Sequence, residues 1–223
     1  METSKTKRIA LLSIMLALTI VFCFVPVQIG PISLAIMILP VLIIAQVEDF
    51  KMTTILSFMM GCINLIAWYT TKAASPIAPI FQNPIICIVP RTLVGVVAWL
   101  TSHGLKKLIK PSIKKGLQIT LEQGSIILST ALGVMSNTVF VGIFTLLFYN
   151  NSTLKTGVAI DIEYILAWFG LNFAVEVIAF SLLVPPIVLA LKKAKLAGVK
   201  PINKQEVLNK DVEADSTVNS EEK

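Results

Sequence analysis

Long apolar runs separated by short polar stretches dominate the chain. A helix that crosses the hydrocarbon core of a bilayer needs about 20 predominantly apolar residues. Six runs approach that length: residues 9 to about 26, 32 to about 47, 52–70, 85–102, 124–149 and 164–191. The pattern predicts an all-α integral membrane protein, with six transmembrane helices forming one compact bundle over residues 1–197. The stretch 198–223, rich in Asn, Glu, Lys and Asp, is expected to be a disordered cytoplasmic tail. In the second run Pro40 lacks a backbone N–H and is expected to bend or break the helix. The first run follows Lys5, Lys7 and Arg8, is too long for a signal-peptide core and precedes no small-residue cleavage site. It is therefore expected to stay as a span.

Composition agrees with that pattern. The 223 residues are 55% hydrophobic and 14% charged, with mean hydropathy +0.81. Soluble domains carry about 25% charged residues, so a chain this apolar needs a lipid bilayer around it. The spans leave no room for a separate catalytic domain. Cys23, Cys62 and Cys87 all sit in apolar runs without paired spacing, as small hydrophobes do.

The net charge of +6 is no nucleic-acid signature, because the bases fall in short connections and sort by side. Lys5, Lys7 and Arg8, then Lys51, then Lys106, Lys107, Lys110, Lys114 and Lys115, then Lys192, Lys193 and Lys195 share one face. The other face has only Lys72 and Lys155. Basic loops stay inside, which puts both termini in the cytoplasm, in a chain that crosses the cell membrane several times. Trp68, Tyr69, Tyr149, Tyr164 and Trp168 cluster at the opposite span ends, where an aromatic belt belongs. The outer connections 25–32 and 73–84 are apolar and Pro-rich, so they are expected to fold back onto the bundle.

Polar groups inside spans mark function by default. Arg91 is the one base within a span and Glu176 the one clear acid, with Asn64, Asn137 and Asn172 completing the strongly polar set. At about 1.5 Å of rise per residue, all five reach the outer half of the bundle. Asn172 and Glu176, four apart, share a helix face. Gln28, Gln82 and Asn83 in the outer connections, and Trp68 at the end of the third span, join them as candidate ligand contacts. Two readings stay open. The amides could stitch helices together while Arg91 snorkels or pairs with Glu176. Alternatively these groups line an outward-facing pocket, with Arg91 anchoring an anionic or carbonyl-bearing ligand.

Catalytic constellations are missing. One histidine, His103, at the inner end of the fourth span cannot make an H-E-x-x-H zinc site. No nucleophile elbow or phosphate-binding loop is present, so neither metal, cofactor nor ATP hydrolysis is expected of this chain. Ala10, Ser13 and Ala17 form a small-residue stripe on the first span that lets another helix approach closely. Internal packing explains such a stripe as well as a subunit contact does.

The chain resembles the substrate-binding S components of energy-coupling factor (ECF) transporters over residues from about 7 to 195. The resemblance is carried by Arg8-Ile-Ala-Leu-Leu-Ser-Ile-Met-Leu-Ala17, Gly30-Pro-Ile-Ser33, Phe81-Gln-Asn-Pro84, Val89-Pro-Arg-Thr-Leu-Val-Gly95 and Ser136-Asn-Thr-Val139. Ser13 stands where the family's first-span motif usually has Ala. The resemblance implies a vitamin bound on the outer side, and docking through the first-span stripe to a scaffold transmembrane subunit with two cytoplasmic ATPases. It also implies toppling within the membrane to deliver the ligand. Arg91 with several amides suits a carboxylate bearing hydroxyl and amide groups, which makes pantothenate the first choice. Riboflavin, folate, cobalamin or another vitamin would need a wider or more aromatic pocket, with Trp68, Phe81 and Trp168 available for stacking. A stand-alone small-solute carrier or channel is the competing class, and a membrane enzyme a third.

Overall fold

The computed structural model describes residues 2–25, 27–29, 32–108, 115–150, 152–154 and 157–194, without the side chains of 2–5, 27–29, 32, 33, 108, 115–119, 168, 169 and 193. The expected tail 198–223, the bases Lys110, Lys114, Lys155 and Lys195, and the side chains of Gln28, Lys115 and Trp168 lie outside this description.

Helix α1 (Glu2–Phe24) buries Leu11, Met15, Thr19 and Cys23, one residue per turn, and leaves the opposite face open. A short antiparallel hairpin follows, β1 (Val27–Ile29) paired with β2 (Ile32–Leu34). A 3-10 turn at Ile36–Ile38 then leads into α2 (Leu39–Val47). Beyond it come α3 (Phe50–Tyr69), the four-residue α4 (Ala78–Phe81), α5 (Pro84–Leu108), α6 (Lys115–Tyr149) and α7 (Ile162–Lys193).

Among the described residues five helices are long and apolar enough to cross a membrane: those within α1, α3, α5, α6 and α7. The second run of the sequence forms no such helix. Its apolar helical stretch, Ile36–Val47, is about 18 Å long at 1.5 Å per residue, short of a hydrocarbon core about 30 Å thick. Every residue from Pro40 to Val47 is buried, and α2 packs on α1, α3, α5, α6 and α7. A helix hydrophobic all round belongs inside protein, so this run is apolar because other helices surround it. Pro40 does not kink a span. It sits in the first turn of α2, where a missing N–H leaves no bond unmade.

Close approaches set the registers. A Cβ on Gly61 would lie 2.9 Å from the Ile88 Cα, so α3 and α5 touch backbone to side-chain depth there. A Cβ on Gly133 would meet Leu42, Ala98 and the Val94 carbonyl, which seats α6 against both α5 and α2.

The two ends of the bundle differ in character. At one end Arg8 pairs with Glu48 at 2.7 Å and with Asp49, and Lys192 pairs with Glu122. Lys106 donates to the Gln46 carbonyl there at 2.9 Å, and Trp99 to the Glu48 carbonyl at 3.0 Å. The Gln46 amide, wholly buried, is held by Ser129 and Ser102, each at 2.7 Å. His103 stacks on Trp99 with centroids 4.0 Å apart, a packing role. The other end is aromatic. Ala78, Ile80 and Phe81 of α4 are buried, and the Tyr149 and Tyr69 hydroxyls donate to the Pro79 and Gln82 carbonyls at 2.9 and 3.0 Å. Connection 73–84 thus folds onto the bundle, as its composition led us to expect.

Candidate functional site

Helix α5 opens with Asn83-Pro84. The Asn83 side chain accepts from the Ile85 N–H at 3.0 Å, and Pro84 takes the first helical position. Asn83, expected to contact ligand, spends its side-chain oxygen on this cap. Two turns on, Pro90 lies inside the helix. Having no N–H, it frees the carbonyl four residues back, that of Ile86. The Arg91 Nη1 donates to this freed carbonyl at 2.9 Å. The Pro-Arg pair therefore creates both an unmade backbone bond and the cation that fills it, and the guanidinium turns back toward the aromatic end.

Arg91 is 5% exposed. Its guanidinium carbon stands 5.0 Å from the centre of the Phe81 ring. Phe81 in turn stacks on Trp68, with centroids 4.8 Å apart and planes 14° from parallel. Phe81 thus touches both Arg91 and Trp68. Lys72 Nζ lies 5.4 Å from the Trp68 ring centre. Cation, ring, ring and cation thus form one column from α5 through α4 to the end of α3. Burial holds the Lys72 ammonium below its usual range, and the Arg91 charge pushes the same way.

The Arg91 Nε is buried with no hydrogen-bond partner. Glu176 attracts Arg91 electrostatically, yet no ion pair within 4.0 Å joins them among the described residues. The Glu176 carboxylate instead accepts from the Ala35 N–H at 2.9 Å, where the hairpin gives way to the 3-10 turn ahead of α2. The expected alternative of a direct Arg91–Glu176 pair is therefore not what the structure contains.

Asn64 is fully buried, donates to Cys87 Sγ at 3.2 Å, and leaves its Oδ1 unpartnered. Cys87 is one turn before Arg91 on α5, so Asn64 sits just outward of the guanidinium. Asn137 is also buried with Oδ1 unpartnered. It stands one turn beyond Gly133, and Arg91 about one turn before Val94, so on antiparallel helices the two share a level. Asn172 is half-buried on α7 one turn from Glu176. Gln82, another expected contact, donates its amide to the Trp68 carbonyl at 3.2 Å and ties α4 to α3. Trp68 is present as expected but stacked on Phe81. Gln28 is paired through its backbone register with Ser33.

Arg91, Asn64 and Asn137 thus lie within about one turn of a common level, with Glu176 held at Ala35, while Gln82 and Asn83 hold backbone groups at the end of α3 and the start of α5. Sequence reasoning missed Lys72, counted there only as a loop charge. Four residues past Trp68, it was within reach of the ring had α3 been extended by one turn. Ala10, Ser13 and Ala17 all lie on the exposed face of α1, away from its buried stripe.

A family profile described as ECF transporter, substrate-specific component, matches residues 7–188. The fold is similar to that of ThiT from Listeria monocytogenes, with TM-score 0.59 at 15% sequence identity, covering 82% of this chain and 94% of that chain. No curated protein sequence matches.

Proposed function

Because the chain belongs to the family of ECF transporter substrate-specific components, we propose that its aromatic end binds a vitamin from outside the cell, pantothenate first among the candidates, for import by ATPase-bearing partners. As a family member the chain is a membrane-embedded transport component and no enzyme.

One observation carries the ligand reading. Arg91 is a buried cation with one protein acceptor and an orphaned Nε. A buried charge left half-satisfied is costly, and a bound anion offsets that cost. The Asn64 and Asn137 oxygens add two unpaired acceptors nearby. Pantothenate offers a carboxylate for the first and hydroxyl and amide hydrogens for the others. Flat vitamins such as riboflavin or folate have weaker support, because Phe81 and Trp68 are already stacked on one another.

In this reading the ion-paired end faces the cytoplasm and holds both termini, by the inside preference of basic loops. The short α2 then acts as the sixth helix, starting at about half depth and ending at that side, where Glu48 meets Arg8. The exposed Ala10, Ser13 and Ala17 stripe is the surface for the scaffold subunit.

The test uses the purified full chain. Mass spectrometry of its denatured extract is expected to release pantothenate. Arg91→Ala is expected to weaken binding at least tenfold, about 1.4 kcal/mol. Wild-type affinity in that variant would demote Arg91 to a packing role. Uptake into liposomes holding this chain alone would refute the dependence on partners.

A further inference from the structure

Lys72 has no assigned role, and its surroundings are unusual for a loop lysine. It follows α3 by three residues, is half-buried, and directs its ammonium over Trp68. Among the described residues no carboxylate lies within 4.0 Å of it. Of the acids at this end, Asp161 accepts from the Tyr164 N–H at the start of α7, Glu176 accepts from Ala35, and Glu163 is exposed in the first turn of α7. Arg91 lies against Phe81 and Lys72 against Trp68, the two rings of the stacked pair. Two cations thus share a largely desolvated region, each lying against one ring of a stacked pair, and Arg91 has a free donor.

A cation taken out of water without a paired counter-charge is costly. A cation–π contact contributes about 0.5–2 kcal/mol and removes no charge. What compensates two such cations is a counter-charge from outside the chain. A neutral or cationic ligand would leave both cations uncompensated, and an anionic one compensates them while filling the Arg91 Nε.

We propose that Lys72, seated on Trp68, is a ligand-facing, specificity-determining cation which together with Arg91 restricts this site to organic anions. The proposal rests on the ligand-binding reading of Arg91 above and goes further, since that reading also admits neutral carbonyl ligands. Arg91 is the deep anchor and Lys72 the charge nearer the mouth.

Calorimetric titration of the purified full chain in nanodiscs tests it. The probes are the anions pantothenate, nicotinate, biotin and folate, the neutral molecules pantothenol, riboflavin and pyridoxine, and cationic thiamine. Wild type is expected to bind pantothenate and to bind pantothenol, which lacks only the carboxylate charge, at least tenfold more weakly. Lys72→Gln is expected to lose about fivefold in pantothenate affinity with pantothenol unchanged, and Lys72→Arg to restore it. Lys72→Met, which keeps the apolar stem on Trp68, gives the same comparison should the Gln variant fold poorly. Equal losses for acid and alcohol, or no loss for either, would overturn the role of Lys72. Binding of another anion would end the pantothenate reading alone, and the same variants against that anion and its neutral amide would then decide. Retention of only neutral or cationic vitamins, or of none, would overturn the charge selection itself.

Discussion

Arg91 owes its position to the residue before it. Pro90 interrupts the α5 ladder, so the Ile86 carbonyl has no helical donor, and a guanidinium can reach it without competing with the backbone. Pro90→Ala returns an N–H to that carbonyl. We expect the variant to melt at a higher temperature, because a proline inside a helix is destabilising by about 3 kcal/mol. We also expect it to bind ligand several-fold more weakly, because Arg91 loses its acceptor and must be ordered by the ligand alone. Thermal melts and titrations on the same preparation check both. A stabilised variant with unchanged affinity would show that the freed carbonyl does not orient the anchor. The residue types of this site were legible in sequence, since Arg91, Asn64, Asn137 and Glu176 are polar groups in apolar runs. Their partners were not. Asn83 and Gln82 read equally well as ligand contacts, although Asn before Pro is also a helix-start signature, and the structure assigns their polar atoms to backbone. Lys72 was hidden because a charge in a connection carries no sign of whether its chain folds inward.

Helix packing supports that geometry through very close contact. Along the α3–α5 seam Gly61 faces the Ile88 backbone and Gly95 faces Ser57, whose Oγ would lie 1.8 Å from an added Cβ. Small residues let membrane helices approach in this way, where van der Waals contact replaces the hydrophobic effect. Ser57 Oγ can rotate away, but the Ile88 Cα and carbonyl opposite Gly61, at 2.9 and 3.2 Å from its added Cβ, cannot. Gly61→Ala is therefore expected to force α3 from α5 and to lower stability by about 1–3 kcal/mol, as overpacking does. It should also weaken ligand binding, because the Asn64–Cys87 contact lies one turn outward in the same seam. A denaturation midpoint equal to wild type would mean that the seam opens without strain. Element boundaries followed the hydrophobic pattern for α3, α5 and α7, while α1 and α6 begin at Glu2 and Lys115, ahead of the apolar runs expected from residues 9 and 124. The pattern failed at the second run for a physical reason. Lipid and a surrounding bundle are equally apolar, so periodicity cannot separate a spanning helix from a short one encased by its neighbours. Length was the available discriminator: a 16-residue run starting beside Gly30-Pro31 and broken by Pro40 is short for a span.

The whole molecule separates its tasks by end and by face. Ion pairs among Arg8, Glu48, Asp49, Lys192 and Glu122 bind helix termini together at one end. The aromatic column and the unpaired atoms of Arg91, Asn64 and Asn137 lie toward the other. Arg8 lies two residues before Ala10, so the ion pairs that fix the start of α1 also fix where its small-residue face points. That face carries Ala10, Ser13 and Ala17 outward, opposite the buried Leu11, Met15 and Cys23. Small side chains gain nothing from lipid that a larger apolar residue would not gain better, whereas a partner helix can approach them closely. Ala10→Trp combined with Ala17→Trp is accordingly expected to abolish uptake in liposomes that contain scaffold and ATPase subunits. Vitamin binding by the chain alone should stay within about twofold of wild type, since neither residue touches the site or the core. Loss of both activities together would mean that the stripe supports the bundle itself. Uptake at the wild-type rate would mean that the scaffold docks on another face, and the exposed side of α1 would then be a lipid contact only.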